Sequence, residues 1–156
     1  MNMTALVTGA TSGFGRAIAL RLAKLGYNLI VTGRRKELLD TLCDEIRKNY
    51  STNVIALNFD VRDQKACEEA VNSLSDEFKN IDLLVNNAGL AAGAASFDES
   101  LLEDFERMID TNVKGLLYMT KLIVPGMIAR QTGHIVNLSS IAGIRQAMFI
   151  ARQSMP

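Results

Sequence analysis

Short apolar runs alternate with longer segments of helical period along most of the chain, and this alternation restricts the fold more than any other feature. The runs are TALVT, NLIVT, VIALNF, IDLLVN and HIVNLS. Between them lie a helical stretch ending at Leu25, a second from Lys36 to Tyr50 and a third from Gln64 to Phe78. After a loop from Gly89 to Phe97, two further helical segments meet near Thr111, the second running from about Val113 to Arg130. The strand runs are continuously apolar rather than alternating, which predicts that both of their faces are covered. The expected fold class is therefore α/β, a doubly wound parallel sheet with helices on both sides, incomplete at its C-terminal side. Gly26, Gly33 and Gly133 fall at element ends, where a left-handed residue or tight turn is expected, and Pro125 is expected to kink the long helix.

Directly after the first run stands TGATSGFG, with Gly9, Gly13 and Gly15 in a GxxxGxG spacing that opens a helix near Phe14. Glycines there let the backbone turn sharply, approach a pyrophosphate and pack helix against strand, while the helix N-terminus offers unpaired N–H donors. Strand before and helix after make this a Rossmann-like dinucleotide loop, to which Thr11, Ser12 and Phe14 also belong. At the end of the second run an NAD-binding chain would place an acid for the ribose hydroxyls, but here the residues are Thr32, Gly33, Arg34 and Arg35. A guanidinium offers paired donors to the 2′-phosphate of NADP, so Arg34 and Arg35 predict NADP. Two merely solvated arginines would oppose the dipole of the helix that starts there. Asp60 and Val61 close the third run; the Asp60 carboxylate either accepts from an adenine amino group or caps the next helix. Asn87, Ala88 and Gly89, after Asn86, allow close approach to a ribose and can tie neighbouring strands together.

Apolar residues make up 48% and charged residues 22%, with zero formal net charge. That balance argues against disorder and against a nucleic-acid footprint, leaving small molecules or proteins as partners. A chain of 156 residues is long enough for one domain with its own core. Cys43 and Cys67 have no CxxC or ligand-like spacing, so no disulfide or metal site is expected and a cytoplasmic location fits. The N-terminus MNMTALVTGA lacks the pattern of a leader, and no stretch approaches the roughly 20 apolar residues of a membrane span.

Taken jointly, TGATSGFG, NNAG, Asn112 within MIDTNVKG, and GHIVNLSSIAG resemble the short-chain dehydrogenase/reductase family in order and spacing, from Met3 to Gly143. The wording GRRKELL, LVNNAGLAAG, TNVKGLLYMT and HIVNLSSIAG is most similar to the NADP-dependent 3-hydroxy acid (serine-type) dehydrogenases. The resemblance implies hydride transfer between NADP and a small hydroxy acid or alcohol, in a homo-oligomer. It implies that Ser140 hydrogen-bonds the substrate oxygen and that Asn112 anchors a water in a proton relay. On residue type alone, Ser140 would be a turn residue and Asn112 a helix-kink residue.

Residues 144–156 depart from that pattern. The family's proton-donating tyrosine lies about thirteen positions after the serine, followed by a lysine that lowers its pKa. Gln153 stands at the tyrosine position, and there is no tyrosine beyond Tyr118 and no lysine beyond Lys121. His134, before a strand run, reads as a turn or strand residue rather than a replacement acid. Reading the codons one base upstream offers an explanation. Met148, Phe149 and Ile150 then become Asn, Asp, His or Tyr, followed by Val, followed by Tyr or His. Suitable codons for the segment restore Tyr-Pro-Ala-Gly-Asn-Val-Tyr-Cys-Ala-Thr-Lys, with tyrosine at the position of Ile150 and lysine at that of Ser154. The expected organisation is thus an NADP-binding domain over residues 1–143 and a frameshifted tail over 144–156, a natural short form with its own tail being the alternative. The functional alternatives are an oxidoreductase with impaired activity, a catalytically inactive NADP-binding module, and a non-functional product.

Overall fold

The computed structural model describes residues 3–93 and 98–140. Five parallel strands, β1 (Thr4–Val7), β2 (Asn28–Gly33), β3 (Val54–Asn58), β4 (Ile81–Asn86) and β5 (His134–Asn137), form one sheet in the order β3-β2-β1-β4-β5. The helices are α1 (Gly13–Lys24), α2 (Lys36–Asn49), α3 (Gln64–Asn72), α4 (Leu102–Ile109) and α5 (Leu116–Arg130). A π-helical segment, Asp110–Gly115, joins α4 to α5. The order reverses between β1 and β4, which leaves a crevice at the carboxyl ends of these strands.

Successive strand residues point to opposite faces, and the two cores follow that period. Ala5 and Val7 of β1 with Leu29 and Val31 of β2 pack against Ala19, Leu22 and Ala23 of α1 and Leu39, Leu42, Cys43 and Ile46 of α2. Leu6 and Ile30, pointing the other way, pack with Leu84 against Cys67 of α3 and Met119, Ile123 and Met127 of α5. The doubly wound, Rossmann-like reading holds, because every central strand is clad on both sides.

Three local expectations need correction. The helix from Gln64 ends at Asn72 rather than at Phe78. Ser73 Oγ donates back to the Ala70 carbonyl at 2.8 Å, and a separate turn begins at Ser75, whose carbonyl accepts from Phe78 N at 2.9 Å. Leu74 and Phe78 are buried all the same, so the apolar period persists without the helix. Among the described residues the apolar run of β5 is not covered on both faces: only β4 lies beside it, and His134, Val136 and Asn137 are exposed. Gly33 has no left-handed backbone; it is needed for space, since a Cβ there would come within 2.6 Å of Thr11 Cγ2. Gly26 and Gly133 do have positive φ, and α5 runs unbroken through Pro125. The tail 144–156 lies outside the described residues, as does part of the loop after Gly89. Among the described residues, no helix is long and apolar enough to cross a membrane.

Candidate functional site

The carboxyl ends of β1 to β4 surround a cavity of about 330 Å³. Of the residues singled out from the sequence, Gly9, Thr11, Ser12, Phe14, Arg34, Arg35, Asp60, Val61, Asn87, Ala88 and Gly89 line it together. Each arrives on the segment that follows a strand, so the parallel sheet brings four separated stretches to one mouth.

The loop between β1 and α1 is held from β4. Thr8 Oγ1 accepts from Asn87 N at 3.0 Å and from Ala88 N at 2.9 Å. The Asn87 amide donates in turn to Thr8 O at 2.8 Å and Gly9 O at 3.1 Å. Gly9 takes φ +66°, and a Cβ there would lie 2.8 Å from Ala88 Cα. At Gly15 a Cβ would overlap both Asn87 Nδ2 and Gly9 O. Gly15 therefore lets α1 pack onto the loop and does not itself line the cavity; Gly13, with φ +55°, faces open space. Asn86, the neighbour of Asn87, donates to Asn137 Oδ1 at 2.9 Å and to Thr120 Oγ1 at 3.0 Å, linking β4 to β5 and α5.

Among the described residues no side chain caps α1, and its first turn holds no acid. Its N-terminal amides and dipole are thus directed at the cavity without a resident anion. Arg35, at the N-cap of α2, turns away from that helix and donates to Thr11 Oγ1 and Ser12 Oγ. Arg34 lies 3.8 Å from Asp60 Oδ2, with its side chain 59% exposed. The wall formed by α1, Thr11, Ser12 and two guanidinium groups is a donor set suited to phosphate.

Asp60 does not cap α3: Asp63 does, accepting from Ala66 N at 3.0 Å. Asp60 instead takes Arg62 Nη2 at 2.7 Å and Nε at 3.0 Å on one oxygen, and Arg62 N at 3.0 Å on the other. Burial alone would raise its pKa, but the Arg62 side-chain and backbone hydrogen bonds, with the charges of Arg62 and Arg34, hold the carboxyl below its usual range. It presents a carboxylate to the cavity.

Asn112 sits in the π-helical segment with both ends of its amide engaged by one residue. Its Oδ1 accepts from Leu90 N at 2.9 Å and its Nδ2 donates to Leu90 O at 2.8 Å. Asn112 thereby fixes the chain leaving β4. Ser140 is exposed, three residues beyond the end of β5, and neither it nor Asn112 lines the cavity. Four lining residues were not assigned to a site from sequence: Gly33, Phe59, Leu90 and Thr111. Phe59 and Gly33 flank residues that were assigned, which is a usable signal. Leu90 and Thr111 flank Gly89 and Asn112 in the same way, but what brings them to the cavity is tertiary: the Asn112 clamp for Leu90 and the π-helical turn for Thr111.

The family model described as short chain dehydrogenase matches residues 3–152. The NADP-dependent 3-hydroxy acid dehydrogenase YdfG of Salmonella typhi is 50% identical over 141 residues, which are 90% of this chain and 55% of that protein. The serine 3-dehydrogenase of Agrobacterium fabrum is 46% identical over 142 residues, 91% of this chain and 55% of that one. The solved structure of serine dehydrogenase from Escherichia coli is similar with a TM-score of 0.84 and 50% identity, over 90% of this chain and 63% of that one. The closed form of serine dehydrogenase complexed with NADP+ has a TM-score of 0.83 and 50% identity, over 90% of this chain and 55% of that one. The chain thus spans 55% of the length of these two curated relatives.

Proposed function

The chain belongs to the short-chain dehydrogenase family, and from that premise we propose that it binds NADP(H) in the cavity over β1 to β4 and descends from oxidoreductases of small hydroxy acids or alcohols. The observation that carries this reading is the meeting of Arg34 and Arg35 with the uncapped N-terminus of α1 in one cavity. The relatives whose names include NADP supply independent support.

The donor set fits the cofactor's adenosine end and diphosphate. The α1 amides with Thr11 and Ser12 would hold the diphosphate, and Arg34 and Arg35 the 2′-phosphate. Gly9, Gly13, Phe14 and Gly15 shape the turn. Asp60 and Val61 would border the adenine, and Asn87, Ala88 and Gly89 a ribose. When bound, the nicotinamide supplies or accepts the hydride. In the reading carried by the resemblance, Ser140 would hydrogen-bond the substrate oxygen and Asn112 would anchor a water in the proton relay.

We read catalysis in this chain as impaired, because Gln153 stands where the resemblance puts the tyrosine. A general acid of that kind contributes typically about 10²- to 10⁴-fold. The segment 144–156 is read as a frameshifted continuation of a domain over 1–143, a proposal that sequencing the gene decides: a downstream frame lacking YxxxK and further family sequence overturns it. Free, buried Cys43 and Cys67 suit a reducing, cytoplasmic setting. Exposed Leu117 and Ile128 on α5 suit the homo-oligomer that the resemblance implies.

Titration of the purified chain with NADPH, followed by assays of L-serine and 3-hydroxypropionate oxidation, tests the reading. Binding of NADPH with little turnover is expected. Absence of NADPH binding by a folded chain overturns the cofactor assignment, and turnover near the rates of intact relatives overturns the reading of the tail.

A further inference from the structure

Thr111 is buried to 7% exposure, its hydroxyl has no hydrogen-bond partner among the described residues, and it lines the cavity. A helical threonine ordinarily returns its hydroxyl to a carbonyl of the preceding turn. Thr41 in α2 does so, donating to Glu37 O at 2.8 Å. Thr111 does not, and it belongs to the π-helical segment, a form concentrated at functional sites. An orphaned buried hydroxyl is costly unless something completes it.

The packing around this segment says where the hydroxyl sits. Gly115, also buried, presses against Val61: a Cβ there would fall 2.7 Å from Val61 Cγ2 and 3.2 Å from Val61 O. Asn112, next to Thr111, grips Leu90. Thr111 is therefore framed by the segment after β3 on one side and the segment after β4 on the other. The lining residues come from the ends of β1 to β4 and from this turn, with none from β5. The same cavity holds Arg34 and Arg35, and the 2′-phosphate they suit is carried on the ribose of adenosine. The cavity thus corresponds to the adenosine half of a dinucleotide.

We infer that Thr111 is a further cofactor-binding residue, whose hydroxyl hydrogen-bonds the adenosine half of the dinucleotide. This rests on the cofactor reading above. The π-helical turn then has two products: it aims Asn112 at Leu90 and frees Thr111 for the ligand.

Adenosine 2′,5′-bisphosphate, which carries only that half, is the probe. Its affinity is measured by calorimetry for the full chain and for Thr111→Val and Thr111→Ser, with melting temperatures taken without ligand. Thr111→Val is expected to weaken binding about fivefold to tenfold, to leave ligand-free melting unchanged or higher, and Thr111→Ser to bind within about threefold of the parent. A Thr111→Val chain that binds less than about threefold more weakly overturns the assignment. So does weakening accompanied by a lower melting temperature, which would make the hydroxyl a packing group. If the parent chain itself fails to bind the probe, the cofactor reading falls, an outcome distinct from any difference among variants.

Discussion

Arg35 donates from one nitrogen to Ser12 Oγ at 2.8 Å and to Thr11 Oγ1 at 2.7 Å. Ser12 is the N-cap residue of α1, yet its hydroxyl caps nothing. Removing a capping serine normally costs about 1 kcal/mol. Ser12→Ala is expected to cost less than about 0.5 kcal/mol in urea denaturation, because no cap is lost. NADPH affinity should fall about twofold to fivefold, because Arg35 loses one of its two anchors. A loss of about 1 kcal/mol or more in denaturation would mean that Ser12 caps α1 after all.

Gly15 and Gly13 give opposite tests of the same loop. At Gly15 a Cβ overlaps Asn87 Nδ2 and the Gly9 carbonyl, so Gly15→Ala must displace the α1 packing and the Asn87 bridge together. A loss above about 3 kcal/mol is expected. At Gly13 nothing lies within 4 Å of a Cβ, and only the φ of +55° opposes alanine. Gly13→Ala should cost about 1–2 kcal/mol. Thermal and urea unfolding of the two variants check the order, and a Gly13→Ala chain less stable than Gly15→Ala would contradict it.

These contrasts also mark what the sequence makes legible. Continuous apolar runs such as NLIVT register as buried strands because both faces of β2 carry core side chains, Leu29 and Val31 on one side and Ile30 on the other. That TGATSGFG and Arg34–Arg35 would meet in one cavity is legible because each stands directly after a strand of the parallel sheet. The same local logic does not reach HIVNLS, since the cover of β5 depends on which elements pack on its faces, and among the described residues too few do so to bury His134, Val136 and Asn137. At Asp60 it leaves two roles open, of which the structure removes the cap, since Asp63, a few residues on, takes it while Asp60 lines the cavity. Thr111 adjoins Asn112, which the sequence singles out, but the direction of its hydroxyl is not legible, because it follows from the π-helical turn and the Asn112–Leu90 clamp.

Cys67 predicts an alkaline limit to stability. It is fully buried, its Sγ lies 3.6 Å from Val61 O, and burial, with the nearby carboxylates Asp63 and Asp60, pushes its thiol up to about 11. A thiol whose pKa is raised on folding contributes stability that is complete below the unfolded value, near 9.0, and is lost as pH rises through about 11. Urea midpoints at pH 8 and pH 10.5 should fall more steeply for the parent chain than for Cys67→Ala. Equal slopes would show that Cys67 does not ionise differently in the folded chain. Cys43, also raised by burial, remains in both proteins and cancels from the comparison.

The two arginines should divide the recognition of a 2′-phosphate unequally. Arg35 is already held by Thr11 and Ser12, so its guanidinium is close to pre-organised, whereas Arg34 is largely exposed and only loosely paired with Asp60 at 3.8 Å. Pre-organisation lowers the entropy lost on binding, so Arg35 should contribute more per hydrogen bond. Arg35→Ala is expected to weaken NADPH about 30- to 100-fold and Arg34→Ala about tenfold, with NADH changing far less in either. Raising the salt concentration should weaken NADPH more than NADH in the parent chain and narrow that gap in both variants, because the lost contact is between charges. Fluorescence titration of both cofactors at two salt concentrations measures all of this. Equal losses for NADPH and NADH in Arg35→Ala would mean that the residue supports the loop rather than reading the 2′-phosphate.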